Sequence, residues 1–424
     1  MGVAPPPVSS ATGWQRGFWC LMGTQFQNAF SDNALKQLII LVLMTSAAAS
    51  AGGGSQDRMV SLVTAVFSAP FILFAMLGGW LADRNSKQRV MVNVKVAEIG
   101  IMAFAGLALA TGNLVLNLAA VFLMGCHSAI FAPSKYGILP EILPHEKLSW
   151  GNGILALLTF LGVILGTVAA GLFSDTLKGY ETKGLEWIAG PILMVIAFLG
   201  WLLSRQITPV PAANPTCPVR INPVTNLWRQ LMIIKQDRDL WRACWGNTGF
   251  YFISALVMMN VVVFGRGVLN LSDTDNSLMN VWLALGIGSG SVVAGYASRG
   301  HIEYRLVPIG ALGLALSTVP MGMEGVTAGT FGICMATLGF SAGLFIVPIV
   351  SVIQHRPAPE DKGSVQGAVS SLSFIGILFA AGVQWVARET FHISSGQVFW
   401  VCGTSAIICG AYAAISRGRF IKAE

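Results

Sequence analysis

The chain has 424 residues, of which 54% are hydrophobic and only 11% charged, with a net charge of +7 and a mean hydropathy of +0.67. A soluble globular protein carries roughly 25% charged residues, so the charge here is too sparse to coat a water-facing surface of this size. The same figures exclude a disordered chain, a collagen and a disulfide-stapled secreted domain. An outer-membrane barrel, with segments of roughly ten residues alternating in polarity, is excluded too, and apolar runs reaching the ~20 residues of a helical span leave a polytopic membrane protein.

In chain order the apolar stretches are 17–45, 59–82, 90–110, 114–138, 150–173, 187–204, 241–264, 278–297, 306–323, 327–353, 365–386 and 398–415, which makes twelve spans. The stretch 327–353 is long for one crossing, and Pro348 is its candidate kink. With both termini cytoplasmic, nineteen Lys and Arg residues fall in connections on the inner side. They include Arg84, Lys87 and Arg89, a cluster between Arg205 and Arg242, and Arg417, Arg419 and Lys422 at the end. Only Arg58, Lys178, Lys183, Arg266 and Arg388 fall outside, which is a strong positive-inside signal for a membrane protein with both ends in the cytoplasm. Basic residues spread over seven connections give no reason to propose nucleic acid as a partner.

The boundaries read as a tail (1–16), a first bundle (17–205), a linker (206–240), a second bundle (241–416) and a basic tail (417–424). The linker is Pro-rich, and Asn222 followed by Pro223 reads as the cap and first position of a short helix. Its Leu227, Leu231 and Ile234 share one face, which predicts a helix lying on the cytoplasmic interface. The halves repeat: Phe131-Ala132-Pro133 and His145-Glu146-Lys147 match Ile346-Val347-Pro348 and Glu360-Asp361-Lys362, an offset of about half the chain. The expected fold class is therefore all-α, twelve transmembrane helices in two parallel six-helix repeats, the arrangement of the major facilitator fold with its site between the halves.

The second connection, Gly79-Trp80-Leu81-Ala82-Asp83-Arg84-Asn85-Ser86-Lys87-Gln88-Arg89, reads as a charged latch. Asp83 suits the positive N-terminal end of a helix in the other half, while Arg84 and Arg89 suit acids there; the alternative is a solvated basic turn. The equivalent in the second half, Gly295-Tyr296-Ala297-Ser298-Arg299, lacks the acid.

Ionised side chains in mid-bilayer need reasons. On a helical wheel Gln25, Asn28, Asp32 and Lys36 share a stripe, which must face a cavity or another helix. The competing account is simple neutralisation of Asp32 by Lys36 one turn on. Lys95 and Glu98 read as a structural ion pair, with Lys95 near enough to the membrane surface to snorkel. His127 is either a proton carrier or a hydrogen-bonded packing residue. The second half has no Asp, Glu or Lys at mid-depth, and a cavity with one charged and one oily wall suits an amphiphile. No paired histidines, metal cluster or nucleophile with base is present, so an enzyme, a catalytic residue, a metal site and a cofactor are not expected.

The segments Gln25-Phe26-Gln27-Asn28-Ala29-Phe30-Ser31-Asp32-Asn33-Ala34-Leu35-Lys36, Ala132-Pro133-Ser134-Lys135-Tyr136-Gly137-Ile138-Leu139-Pro140-Glu141 and Trp150-Gly151-Asn152-Gly153 together resemble the bacterial lysophospholipid transporter family of the major facilitator superfamily. That resemblance implies movement of lysophospholipids, such as lysophosphatidylethanolamine, from the outer to the inner leaflet by rocker-switch alternating access. Membrane lipids and a lysophospholipid acyltransferase on the cytoplasmic side are the implied partners. It also implies that Asp32 meets the head-group ammonium and Lys135 the phosphate, with Asn33 nearby. An arginine that some members carry in the seventh span has no counterpart in Asn247–Met259. The rival reading is a proton-coupled transporter of a soluble or drug-like molecule with Asp32 as the proton site.

Overall fold

Long apolar runs with their backbone bonds satisfied internally fold as helices, and polar capping residues mark where each begins. The computed structural model describes residues 14–48, 55–179, 186–218, 222–271, 273–298 and 302–414. Outside them lie residues 1–13 of the N-terminal tail, the basic C-terminal tail, and Arg220 and Arg299. The first half holds α1 (Trp14–Ala48), α2 (Ser55–Arg84), α3 (Lys87–Thr111), α4 (Leu114–Ile142), α5 (Leu148–Gly179) and α6 (Ala189–Ser204). A short helix, α7 (Pro223–Ile234), precedes the second half: α8 (Arg238–Gly267), α9 (Asp273–Ala297), α10 (Leu306–Met321), α11 (Ala328–His355), α12 (Lys362–Trp385) and α13 (Ser395–Ala414).

Asn113, Asn222 and Asp237 each accept two backbone N–H bonds at the start of α4, α7 and α8, satisfying donors the helix itself cannot. Eight of the described helices (α2, α3, α4, α5, α8, α9, α11 and α12) contain a segment long and apolar enough to cross a membrane. The first helix falls short because its middle is polar, and it joins the bundle by packing on α5, α6, α4 and α2. Leu107, Leu172, Ile309, Ile333, Phe379 and Ile408 point outward, the belt that hydrocarbon would cover. Pro348 lies inside a continuous α11, with no break at the candidate kink.

The repeat is visible in local structure. A one-turn 3₁₀ segment, His145–Lys147, joins α4 to α5, and Pro359–Asp361 does the same between α11 and α12. Pro133 and Pro348 occupy matching places within α4 and α11. The halves meet through α2, α4 and α5 on one side and α9, α11 and α12 on the other.

The buried face of α7 is turned slightly from the one its aliphatic residues predict. α7 packs against α2, α12 and α8 and buries Asn226, Gln230 and Ile234, with Leu227 and Leu231 only partly buried beside them. Val224 and Trp228 are left exposed, at 73% and 65%. The linker before it is tied to the first half: Asn214 N–H donates to the Asp83 carbonyl at 2.8 Å, and Ile207 and Val210 are buried beside Phe18 and Met91.

A close crossing between the halves joins α2 to α12, where a Cβ on Gly79 would lie 2.5 Å from the Gly363 carbonyl oxygen. Only glycine permits that approach. Gly79→Leu is expected to force this end apart, so that a cysteine placed at the fully buried Ser351, in a chain lacking its native cysteines, becomes open to a water-soluble maleimide; labelling equal to that of the parent would contradict the crossing.

Candidate functional site

At the end of the bundle that carries Asp83, two polar clasps join the halves. α2 delivers Asp83 to the start of α12, where Oδ1 accepts from Gly363 N–H at 2.6 Å and Oδ2 accepts from Ser364 N–H at 2.7 Å and Ser364 Oγ at 2.5 Å. A carboxylate on the first N–H groups of a helix adds charge-assisted bonds to a favourable dipole, a total of roughly a few kcal/mol. The second clasp joins α5 to α11: Asn152 Nδ2 donates to Gln354 Oε1 at 2.8 Å and to Ser351 Oγ at 3.1 Å, and Gln354 Nε2 returns a bond to Asn152 Oδ1 at 2.9 Å. Gln354 sits two turns beyond Pro348, and nothing in its local sequence marks it as a partner for Asn152.

The arginines of the loop behave differently from the latch reading. Arg84 stacks over the Trp80 ring at 5.2 Å, and neither Arg84 nor Arg89 has a carboxylate within 4.0 Å among the described residues. Both stay exposed because Asp83 is already saturated by α12, and the ion pair forms instead between Lys87 and Glu141, at 2.7 Å. In the second half Ser298 donates to Ala294 O of its own helix, so that side contributes no clasp from this position. Nearby, Trp80 Nε1 donates to the Cys217 carbonyl at 3.3 Å. Partial burial, then the Asp83 and Asp361 carboxylates, push the Cys217 thiol pKa up, which keeps it in its unreactive form.

Deeper in the first half, α1, α3 and α4 share a network. Lys95 Nζ donates to Glu98 Oε2 at 2.6 Å, Gln27 Oε1 at 2.8 Å and Asn28 Oδ1 at 2.8 Å, and lies 4.9 Å from the centre of the Phe131 ring. Gln27 Nε2 donates to Glu98 Oε1 at 2.8 Å, and His127 Nε2 lies 3.3 Å from Glu98 Oε2. Lys95 and Glu98 are fully buried, so Lys95 does not snorkel: its ammonium has three oxygen partners inside and no reason to reach for water. Asp32 adjoins this network, its Oδ2 accepting from Ser128 Oγ at 2.6 Å and Asn28 Nδ2 at 3.0 Å.

The polar stripe of α1 does not face a single neighbour. Gln25 Nε2 donates to Thr159 Oγ1 on α5 at 2.9 Å, while Asn28 and Asp32 turn to α3 and α4. Asn33 Nδ2 donates to Ala29 O, and Lys36 Nζ donates to Asn33 Oδ1 at 3.2 Å beneath the Phe67 ring of α2. Asp32 and Lys36 form no ion pair within 4.0 Å, so mutual neutralisation does not account for them. Asp32 is 9% exposed and its Oδ1 has no hydrogen-bond partner. Lys135, two turns along α4 from Ser128 towards the Asp83 end, is buried with its Nζ 4.5 Å from the Tyr136 ring centre and no carboxylate within 4.0 Å among the described residues.

The opposing half is neutral. Every buried charged side chain among the described residues, namely Asp32, Asp83, Lys87, Lys95, Glu98 and Lys135, belongs to the first half. Polar groups in the second half are amides and hydroxyls such as Asn247, whose Nδ2 donates to Ser373 Oγ at 2.9 Å. Aromatic rings meet across the boundary, with Phe71 stacked on Phe374 at 4.0 Å.

A family model described as Major Facilitator Superfamily matches residues 21–381. The chain belongs to the major facilitator superfamily. As a member, it is a multi-pass membrane transporter and not an enzyme. Among its relatives, the lysophospholipid transporter LplT of Enterobacter sp. (strain 638) is 26% identical over 355 residues, 81% of each chain. That of Salmonella heidelberg (strain SL476) is 25% identical over 349 residues, 81% of this chain and 80% of the relative. The human organic anion transporter MFSD10 has the same fold, with a TM-score of 0.77 at 15% identity over 97% of this chain and all of that one. A bacterial homologue of the iron transporter ferroportin, solved in an outward-facing state, gives a TM-score of 0.71 at 13% identity over 95% of this chain and 100% of that chain.

Two outcomes test this geometry. Lys95→Ala strands the buried Glu98 and is expected to cost about 3–5 kcal/mol, read as a large fall in the unfolding temperature in detergent, whereas Lys95→Met with Glu98→Leu recovers most of it. Asp83→Ala removes the α12 cap and is expected to raise maleimide labelling of a cysteine at Ser351, while Arg89→Ala leaves labelling at the parental level; equal labelling in all three proteins would contradict the clasp.

Proposed function

We propose that the chain moves lysophospholipids, such as lysophosphatidylethanolamine, from the outer to the inner leaflet of a bacterial inner membrane. The observation that carries this reading is the asymmetry of the interior. An incompletely bonded carboxylate, Asp32, and a buried ammonium without a carboxylate, Lys135, lie in one half, and a neutral, largely apolar half faces them. A polar head suits the first wall and an acyl chain the second, whereas a sugar or amino acid is better served by hydrogen-bonding groups on both. The names of the relatives support the same substrate class.

Asp32 receives the head group with Asn28 and Asn33 beside it, and Gln25 and Lys36 flank that position along α1. Lys135 pairs with the phosphate. Gly79 and Asp83 form the gate, with Arg84 and Arg89 serving the positive-inside bias. With both termini cytoplasmic, the Asp83 end is the cytoplasmic end, and the structure is closed there. Rocking of the halves breaks the two clasps and delivers the lipid inward, where a lysophospholipid acyltransferase restores the second chain.

The test is inward movement of fluorescent lysophosphatidylethanolamine in proteoliposomes. Asp32→Asn is expected to insert normally and lower flux by at least about tenfold, since truncating a desolvated charge contact costs 2–5 kcal/mol and each tenfold is about 1.4. Parental flux would remove Asp32 from the site. Lys135→Ala is expected to raise the apparent KM, and an unchanged KM counts against its phosphate contact.

A further inference from the structure

The charge count of the interior speaks to the head group itself. At membrane depth, α1, α3 and α4 contribute three ammonium groups, Lys36, Lys95 and Lys135, and two carboxylates, Asp32 and Glu98. Lys95 is matched by Glu98 at 2.6 Å. The single remaining carboxylate, Asp32, is thus shared between two cations, neither of which lies within 4.0 Å of it. The elements packed around them do not restore the balance. α2 from Leu62 to Ala82, α5 from Leu148 to Ser174, α6 and the facing stretches of α11 and α12 contain no Asp, Glu, Lys or Arg at this depth. His127, on Glu98, either leaves the count unchanged as a neutral ring or raises it by a further positive charge.

We propose that this surplus of positive charge selects lysophospholipids whose head group is a net anion, a phosphate esterified to an uncharged, hydroxyl-bearing alcohol such as glycerol. The proposal rests on the lipid reading above and sharpens it. In a low-dielectric interior an uncompensated charge is costly, so the ligand that brings the interior to neutrality binds best. A phosphate with one negative charge does so, whereas a zwitterionic head leaves the surplus in place. The cations are also well disposed for it, because Lys36 and Lys135 lie on either side of Asp32 along the membrane normal, the first on α1 one turn beyond it and the second on α4 towards the Asp83 end. Asp32 Oδ1, which lacks a donor, then accepts from an alcohol hydroxyl and has no need of an ammonium.

The experiment compares lysophosphatidylglycerol with lysophosphatidylethanolamine of the same acyl chain, each alone and in competition, in proteoliposomes of net-neutral phosphatidylcholine. The parent chain is expected to take the glycerol lipid with an apparent kcat/KM at least about tenfold higher. Lys36→Gln, which removes the surplus, is expected to bring the ratio to one or below by weakening the glycerol lipid. Equal use of the two lipids by the parent chain, or a preference for the ethanolamine lipid, overturns this inference and leaves the lipid reading standing. A Lys36→Gln ratio equal to the parental one overturns it as well. Movement of neither lipid contradicts the lipid reading, and this inference falls with it. The comparison on the parent chain stands even where the variant does not insert.

Discussion

An ionised side chain surrounded by hydrocarbon has to find a partner, and this requirement shapes the first half of the protein. Lys95 and Glu98 satisfy it together, with Gln27 and Asn28 of α1 filling the remaining positions on the ammonium. The network therefore fixes α1 against α3 and, through Ser128 and His127, against α4. Asp32 is held at the edge of that network with one oxygen bonded and the other, buried, without a donor. The second half meets the same requirement by containing no buried charge among its described residues.

Rigid halves are of use to a transporter only if their contacts can be exchanged. The joints at the Asp83 end suit that need. Asp83 meets backbone and hydroxyl donors of α12 rather than a second charge, so parting costs a few hydrogen bonds that water can replace. Asn152 and Gln354 form a reciprocal amide pair with the same property. The linker adds a tether, because its backbone holds Asp83 from the first-half side while α7 lies across α2 and α12.

Much of the fold was legible because the hydrocarbon core imposes length and composition on each span, and because the proline-marked segments around Pro133 and Pro348 betray the repeat. Local pairs were legible for the same kind of reason: Lys95 and Glu98 are one turn apart on one helix. Contacts between helices were not. Gln25 to Lys36 spans roughly 16 Å of α1, far enough for a helix packed at an angle to pass from α5 to α4 to α2, so a wheel that places these residues on one stripe cannot assign one neighbour to them all. Asn152 and Gln354 are about two hundred positions apart, and only the fold brings them together. Arg84 and Arg89 carried charge that suited a latch, but Lys87 was the cation whose position on the first turn of α3 reached Glu141.

The central claim is that the charged first half and the neutral second half together hold a lipid with one acyl chain. Mass spectrometry of the lipids that remain with the purified protein tests this most directly. The account expects a lysophospholipid enriched well above its share of the surrounding membrane, and lost on purification of Asp32→Asn. A protein that retains only bulk two-chain lipids, with the same profile in the variant, would contradict it.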